Sequence, residues 1–236
     1  PRFEMPSLLG PGRKPVGPVV LDRNHFLAPD ECCAILNSNP VELISGKPLN
    51  EGGRLSDIKT KVEKANEHLE FSGSFQPFLS LPNPVDHHAS GDQWSVTWYG
   101  RKETDSSGRG VFLGENGTSS NFMYYRNSTT NFRVTNNSGS SFEVSYSSGT
   151  ATTIAWQTIA FTGTGYKYYR DGVLIATNSG GAAASTFQLH DIGSSFTGDG
   201  NAFSGILGAV YCHSYELNAS LTSYLHKNPY QFLIPA

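Results

Sequence analysis

The fold is most clearly indicated by residues 166–211, which read YKYYRDGVLIATNSGGAAASTFQLHDIGSSFTGDGNAFSGILGAVY. Asp171-Gly172 lies between an aromatic run (166–169) and an aliphatic run (173–176), and this dipeptide between two such runs is a strong β-hairpin signal. Two further strand-like runs follow at 187–189 and 203–211, separated by a loop rich in Gly and Asp. The segment therefore predicts an antiparallel meander.

The sequence on either side also has the pattern of an all-β protein. No proline occurs between Val85 and Asn228, as expected for strands that must keep their ladder donors. Trp94, Val96 and Trp98 alternate with polar residues, and similar runs recur every 8–12 residues or so, with Gly, Asn and Ser between them. This pattern is typical of a sandwich or a barrel.

A short helix is predicted near the C terminus. Asn218 is a suitable N-cap, and Pro229 would end the helix. Leucines at the i, i+4 spacing give it one apolar face, which consists of Leu217, Leu221 and Leu225.

Composition limits the possible functions. The chain has 236 residues, a net charge of −3 and a pI near 6.2, which favours one sandwich with an extension and argues against a nucleic-acid partner. No apolar run of membrane length and no export signal are visible, so we expect no membrane association. Cys32 and Cys33 are adjacent and Cys212 lies in a predicted strand, so all three thiols are expected to be reduced.

Several motifs resemble those of a known family. The sequences Y-x-D-G-V-L-I at 169–175, F-x-L at 187–189 and F-x-G-x-L-G-x-V-Y at 203–211 resemble the second half of laminin-G-like domains, which belong to the concanavalin A-like lectin/glucanase group. Residues 69–73 and 78–82 resemble the two early strands of that group, with Ser72 where Asp is usual. Residues 54–69 have helix-like charges but sparse apolar positions, so no element is assigned there.

The resemblance implies an all-β fold. This fold is a concanavalin A-like jelly-roll β-sandwich of antiparallel strands, with an extended proline-rich N-terminal arm (1–29) and a short C-terminal helix. The sandwich would span residues 30–236.

The N-terminal arm is predicted to dock onto another molecule. Residues 1–29 hold six of the 13 prolines, so the segment should be extended and excluded from sheet interiors. A loose tail is the alternative, but a solvated tail has little reason to keep apolar anchors, which here are Phe3, Leu8, Leu9, Val19 and Leu21. The segment PVGPVVLDRNHFLAP (15–29) also resembles, loosely, the lead-in to laminin-G-like domains of bacteriophage structural proteins.

Catalysis is not expected. Family-16 glucanases share the jelly roll and carry E-x-D-x-x-E on one strand, whereas Glu103-Thr104-Asp105 has no third carboxylate after it. Asp86-His87-His88 follows two prolines and is interpreted as a solvated loop, and His190-Asp191 has no G-x-S-x-G elbow to complete a hydrolase triad.

One loop is a candidate metal site. Asp199 and Asn201 lie in Gly198-Asp199-Gly200-Asn201, where alternate oxygen-bearing side chains could bind calcium with help from backbone carbonyls. A plain turn is the alternative, and no other cofactor is expected.

Sugar binding is the activity that the aromatic residues favour. Aromatic faces attract the C–H faces of sugar rings. One tyrosine of each adjacent pair, Tyr124-Tyr125 and Tyr168-Tyr169, should face outward. Tyr125 and Tyr169, with Arg126 and Asn127, are therefore candidate carbohydrate ligands, and ordinary solvent-facing tyrosines are the alternative.

The resemblance to laminin-G-like domains of phage structural proteins implies a non-catalytic phage virion protein, either a capsid decoration or a tail-associated component. It would assemble in the host cytoplasm as a homo-oligomer, contact other virion proteins through its arm, and bind surface polysaccharide or protein. A free or secreted lectin or adhesin is the alternative, and a glycoside hydrolase is less favoured.

Overall fold

The computed structural model describes residues 14, 18–52, 58–63, 66–72, 78–87, 92–103, 110–114, 122–125, 131–135, 141–145, 152–178, 187–193 and 203–236. Along these residues the elements are β1 (Val19–Leu21), β2 (Cys32–Ile35), β3 (Val41–Glu42), β4 (Lys47–Pro48), β5 (Asn50–Gly52), β6 (Ile58–Glu63), β7 (Asn66–Ser72), β8 (Phe78–His87), β9 (Gln93–Lys102), β10 (Gly110–Gly114), β11 (Phe122–Tyr125), β12 (Asn131–Thr135), β13 (Ser141–Ser145), β14 (Ala155–Thr162), β15 (Tyr166–Arg170), β16 (Val173–Asn178), β17 (Phe187–Ile192), β18 (Ser204–His213), α1 (Ala219–Lys227) and β19 (Leu233–Pro235).

The described strands form two large antiparallel sheets, as the predicted sandwich requires, and a small two-stranded sheet of β1 and β19. Within the described residues, the seven-stranded sheet has the order β13-β12-β11-β10-β17-β8-β5. The ten-stranded sheet has the order β16-β15-β14-β9-β18-β2-β3-β4, and β7 joins it by pairing with both β18 and β6. The all-β prediction is confirmed.

The main core lies between the two sheets. Trp98, Tyr168, Phe71 and Phe203 are fully buried there, and each buried side chain of this size contributes about 2–3 kcal/mol through removal of its apolar area from water. The alternation predicted for β9 is confirmed on this face, because Trp94, Val96 and Trp98 all belong to the core.

A second apolar layer covers the outer face of the ten-stranded sheet. Residues 18–29 and 215–236, here called the terminal cover, pack on that face, and β1 pairs with β19 through Val19↔Pro235 and Leu21↔Leu233. Leu27, Leu225 and Phe232 are 0% exposed. The central strands of the ten-stranded sheet are therefore buried on both sides, which explains why β9, β14 and β18 are buried almost continuously.

The predicted helix and hairpin are both confirmed. The Asn218 side chain accepts hydrogen bonds from the backbone N–H groups of Ser220 and Leu221, each at 3.0 Å, and so caps the helix. Asp171 and Gly172 have φ angles of 45° and 82°, the positive values that a two-residue turn with the hairpin's own twist needs.

The predicted meander is wrong beyond this hairpin. The edge strand β16 and the central strand β18 belong to the ten-stranded sheet, whereas β17, which lies between them in sequence, belongs to the seven-stranded sheet. Local patterning identifies each strand but does not say which sheet it joins.

Strand β8 also differs from the expectation in part. Residues 69–72 lie in β7 and residues 78–82 lie in β8, as the resemblance implied. Asp86 and His87, however, pair with Gln188 and Phe187 in the ladder and do not form a loop. The prolines of β8 are tolerated because they lie at a bulge, where the pairing shifts from Val85↔Leu189 to Ser80↔Asp191.

Part of the predicted arm is built into the domain. Val19 and Leu21 lie in β1 and pack against the terminal cover's apolar cluster, so residues 18–29 belong to the sandwich and not to a separate arm. Lys14 is also anchored: its ammonium donates to the carbonyls of Leu36 (2.6 Å) and Glu67 (2.8 Å), and burial lowers its pKa to about 7. Phe3, Leu8 and Leu9 lie outside the described residues.

All three cysteines are buried and carry free thiols. In the described part of the chain, no helix is long and apolar enough to cross a membrane.

Candidate functional site

The candidate site lies on the face of the seven-stranded sheet that points away from the core. Asn50, Ser80, Asp191 and Gly114 are successive register partners on β5, β8, β17 and β10. The adjacent row, Leu79, Ile192 and Leu113, is 0–1% exposed and belongs to the core. Because neighbouring residues of a strand face opposite sides of a sheet, the row that contains Asp191 faces outward.

Asp191 is the unusual member of this row. It is 3% exposed although it lies on the outer face, and the Ser80 hydroxyl donates to its Oδ1 at 2.6 Å. Burial raises the pKa of the Asp191 carboxyl, while the Ser80 hydrogen bond and the nearby His190 act in the opposite direction. The Ser80 hydrogen bond therefore fixes the orientation of this buried carboxyl on the outer face of the sheet.

An aromatic ring lies next to these polar groups. Phe78 is half-buried and lies two residues from Ser80 on the same face of β8, roughly 7 Å along the strand. Its ring packs against Gly52 so closely that a Cβ at Gly52 would come within 3.0 Å of it. Glycine at position 52 therefore lets the ring lie against the sheet.

The resulting surface, here called the Asp191 face, consists of Asn50, Phe78, Ser80, Gly114 and Asp191. It combines an amide, a hydroxyl, a carboxyl and an aromatic ring, and Gly114 contributes only backbone beside the carboxyl. Amides, hydroxyls and carboxylates bind the hydroxyls of sugars, and aromatic rings pack on their C–H faces.

The structure does not support Tyr169 as a solvent-facing carbohydrate ligand. Tyr169 is 1% exposed, so the prediction that it faces solvent is wrong. It pairs with Thr158, whose hydroxyl lies 2.8 Å from His226 of α1, so this face of β15 lies beneath the terminal cover. Burial raises the pKa of Tyr169, and its neighbour Tyr168 is buried in the main core.

The other predicted ligands stay predictions. For Tyr125 the structure describes the backbone, which pairs with Gly110 and Phe132. Arg126 and Asn127 lie outside the described residues, as do the candidate calcium ligands Asp199 and Asn201. Among the residues that are described, no group of three or more His, Cys, Asp or Glu side chains could hold a metal ion.

The remaining candidate carboxylate has a different environment. Glu103, the first residue of the E-x-D motif, lies 3.5 Å from Lys61 and 3.5 Å from Arg101. These two ion pairs differ from the apolar surroundings that keep the general acid of a glycosidase protonated near neutral pH. Thr104 and Asp105, the other residues of the motif, lie outside the described part of the chain.

Sequence reasoning missed the Asp191 face because its members are far apart in the chain. One local signal is present: Leu189 and Ile192 are both core residues, and a spacing of three between inward residues breaks the strand period of two. Such a break indicates a bulge, and bulges often reorient side chains near functional sites.

The family of the chain follows from a comparison with known sequence families. Residues 75–220 match the family model described as the concanavalin A-like lectin/glucanases superfamily, of the laminin G type. The chain belongs to this family. A search of curated proteins found no significant match.

Solved structures with the same architecture include toxin and enzyme domains. The binding domain of botulinum neurotoxin serotype G is 14% identical, with a TM-score of 0.55, over 83% of this chain and 50% of that one. A botulinum neurotoxin type C structure is 14% identical, with a TM-score of 0.56, over 84% of this chain and 51% of that one. Trypanosoma rangeli sialidase is 12% identical, with a TM-score of 0.60, over 85% of this chain and 33% of that one. The chain thus spans about half the length of the two toxin structures and a third of the sialidase, and the likeness shows the fold alone.

Proposed function

We propose that the chain is a non-catalytic, carbohydrate-binding domain whose glycan site is the Asp191 face. The observation that carries this proposal is the Asp191 carboxyl, buried on the outward face and hydrogen-bonded to Ser80. Two of the similar structures are described with glycans, gangliosides for the type C neurotoxin and sialic acid for the sialidase, so this architecture can hold such ligands.

Binding without hydrolysis fits the distribution of carboxylates. Most glycosidases need two carboxyl groups about 5–10 Å apart across the scissile bond. In the described part of the Asp191 face, Asp191 supplies the carboxyl and its neighbours across the sheet are Ser80 and Gly114. We therefore expect recognition of a saccharide and no turnover.

Replacing Asp191 with Asn should weaken glycan binding by about ten- to a hundred-fold, because a hydrogen bond to a charged group contributes about 1.5–3 kcal/mol. The measurement is a glycan array followed by calorimetric titration of the best ligand. Asp92→Asn, which removes the same charge from an exposed position just before β9, is the matched control and should bind like the unmodified chain.

Thermal unfolding of both variants separates loss of binding from loss of fold. If Asp191→Asn binds normally, the site lies elsewhere. If the unmodified chain binds no glycan at millimolar concentration, the carbohydrate function itself is wrong.

We also propose that the domain is a phage virion component, a capsid decoration or tail-associated protein that docks through its N-terminal arm and forms homo-oligomers in the particle. Support comes from the resemblance of residues 15–29 to the lead-in of phage laminin-G-like domains, and from Lys14, which is anchored to the carbonyls of Leu36 and Glu67 directly after residues 1–13. A free lectin or adhesin is the second candidate, and the glycan-like chemistry of the Asp191 face fits it equally.

Deletion of residues 1–13 should abolish incorporation into particles while leaving thermal stability and glycan binding unchanged. The deletion stops before Lys14 because residues 18–29 belong to the terminal cover, and Leu27 is 0% exposed. Incorporation is measured by immunoblotting particles purified after complementation with the shortened chain. Undiminished incorporation would contradict the docking role and favour the adhesin.

A further inference from the structure

Two of the three cysteines face each other across neighbouring strands. Cys32 of β2 and Cys212 of β18 are direct register partners. Both are 0% exposed and both belong to the core between the sheets. The Cys32 thiol lies close enough to affect the pKa of the Cys212 thiol, and both side chains point to the same face of the sheet.

The backbone geometry of such a pair suits a disulfide. Directly opposed residues in antiparallel strands have Cα atoms about 4.5–5.5 Å apart, and disulfides join Cα atoms about 4.4–6.8 Å apart. Cys33 differs although it is adjacent in sequence. It pairs with Tyr211 and packs in the second apolar cluster, on the opposite face of the sheet.

We propose that Cys32 and Cys212 are a disulfide-forming pair, which a small-molecule disulfide of the glutathione type oxidises to a cross-strand bond. One thiolate attacks a sulfur of the oxidant, forming a mixed disulfide and releasing one small thiol. The second thiolate attacks the protein sulfur of the mixed disulfide and releases the other small thiol. The protein loses two protons and two electrons, and the oxidant is reduced to two thiols.

Burial sets the rate of this step. The pKa of the Cys212 thiol is raised well above its ordinary value by burial, with the neighbouring Cys32 acting in the same direction. Since only a thiolate attacks a disulfide, oxidation of the folded chain should be slow, and oxidation during refolding should be faster.

The bond would link β2, which follows the N-terminal part of the terminal cover, to the central strand β18. β18 pairs with β9 and β7 as well as β2, and β2 follows residues 18–29 of the terminal cover closely in sequence. The cross-link would close a loop over most of the chain, and long loops gain the most from closure in the chain-entropy description. A chain made with free thiols in a reducing compartment would then become more stable after release from the cell.

The test treats the folded chain, and separately the chain refolded from guanidinium, with reduced and oxidised glutathione, and then unfolds both samples and alkylates the free thiols. Peptide mapping should show a Cys32–Cys212 link in at least the refolded sample, alkylation at Cys33 alone, and an intact mass lower by about 2 Da before alkylation. The oxidised chain should also have a higher unfolding temperature than the reduced one.

Two variants serve as controls. Cys33→Ser should form the same link, whereas Cys212→Ser should form none within the chain. The proposal is overturned if all three thiols of the unmodified chain are alkylated in both samples, or if the bond that forms involves Cys33.

Discussion

Acidification from pH 7 to pH 4.5 is expected to lower the free energy of unfolding by about 4 kcal/mol. Two buried histidines, His213 and His226, cause this change, because both are held neutral in the folded chain. Burial lowers the pKa of His226 to about 3 and that of His213 to about 4, from the ordinary value of 6.5.

His226 connects the helix to both the sheet and the hairpin. Its Nδ1 accepts the backbone N–H of Gly172 at 2.7 Å, and its Nε2 lies 2.8 Å from the Thr158 hydroxyl. An imidazolium has no acceptor, so protonation would remove the hydrogen bond to the hairpin turn. This geometry therefore opposes protonation in the same direction as burial does.

His213 lies under the N-terminal part of the terminal cover. It is 0% exposed, and its Nε2 is 3.3 Å from the carbonyl oxygen of Leu27. Burial has the largest effect on the pKa of His213 and lowers it, while the Leu27 carbonyl and Asp30 act in the opposite direction. Charging this ring would therefore place a cation, cut off from water, beneath residues 18–29, and this cost outweighs its attraction to the Leu27 carbonyl and Asp30.

The direction of the pH effect follows from proton binding. Between pH 6.5 and the lowered pKa values, the unfolded chain binds protons at these two positions and the folded chain does not, so stability falls as pH falls. Each histidine contributes about 2 kcal/mol at pH 4.5. Asp191 acts in the opposite direction, because its folded pKa is raised, and reduces the net change slightly.

Urea denaturation at pH 7.0, 6.0, 5.0 and 4.5 measures this effect. His226→Gln should be less dependent on pH by about half, since glutamine does not titrate. His25→Gln is the comparison variant. Burial also lowers the pKa of His25, but its ring is only partly buried, so this substitution should reduce the slope less than His226→Gln does. If the free energy of unfolding is the same from pH 6.5 to pH 4.5, burial does not hold His213 and His226 neutral in the folded chain.

Residues that are close in sequence make most of the fold predictable. The turn at Asp171-Gly172 and the cap at Asn218 depend on a few consecutive residues, so local patterns are enough to find both. The connection from β16 to β17 is not predictable in this way, because strand β17 carries the same kind of pattern as a strand of the ten-stranded sheet. Which partner a strand takes depends on contacts far away in sequence, such as Leu189 with Val85.

The same reason accounts for the candidate site. Asp191, Ser80 and Asn50 are brought together by pairing between β17, β8 and β5, which no local motif specifies. The prediction for Tyr169 is wrong for a related reason: strand alternation predicts a solvent face, but the terminal cover buries that face. Where a segment packs on the outside of a sheet, the residues that alternate with the core residues are buried as well, so alternation does not indicate exposure there.

The ten-stranded sheet depends on close approach of two backbones at Gly205, where the second large effect is expected. Gly205 of β18 pairs with Lys102 of β9 on one side and with Phe71 of β7 on the other. A Cβ at this position would lie under 3.0 Å from the carbonyl oxygen of Arg101 and from the ring of Phe203. Because the carbonyl belongs to the backbone of β9, the clash cannot be relieved by turning a side chain.

Gly205→Ala should therefore reduce the free energy of unfolding by at least about 3 kcal/mol, the upper end for overpacking in a core. Gly46→Ala is the matched control, since nothing lies within 4 Å of its Cβ position and its φ of +69° carries only a conformational cost of about 1–2 kcal/mol. Urea denaturation at pH 7 measures both. If the two variants lose the same free energy of unfolding, β18 can shift away from β9 at Gly205 without a large cost. Tight packing of these central strands would then not be what stabilises the sheet at that position.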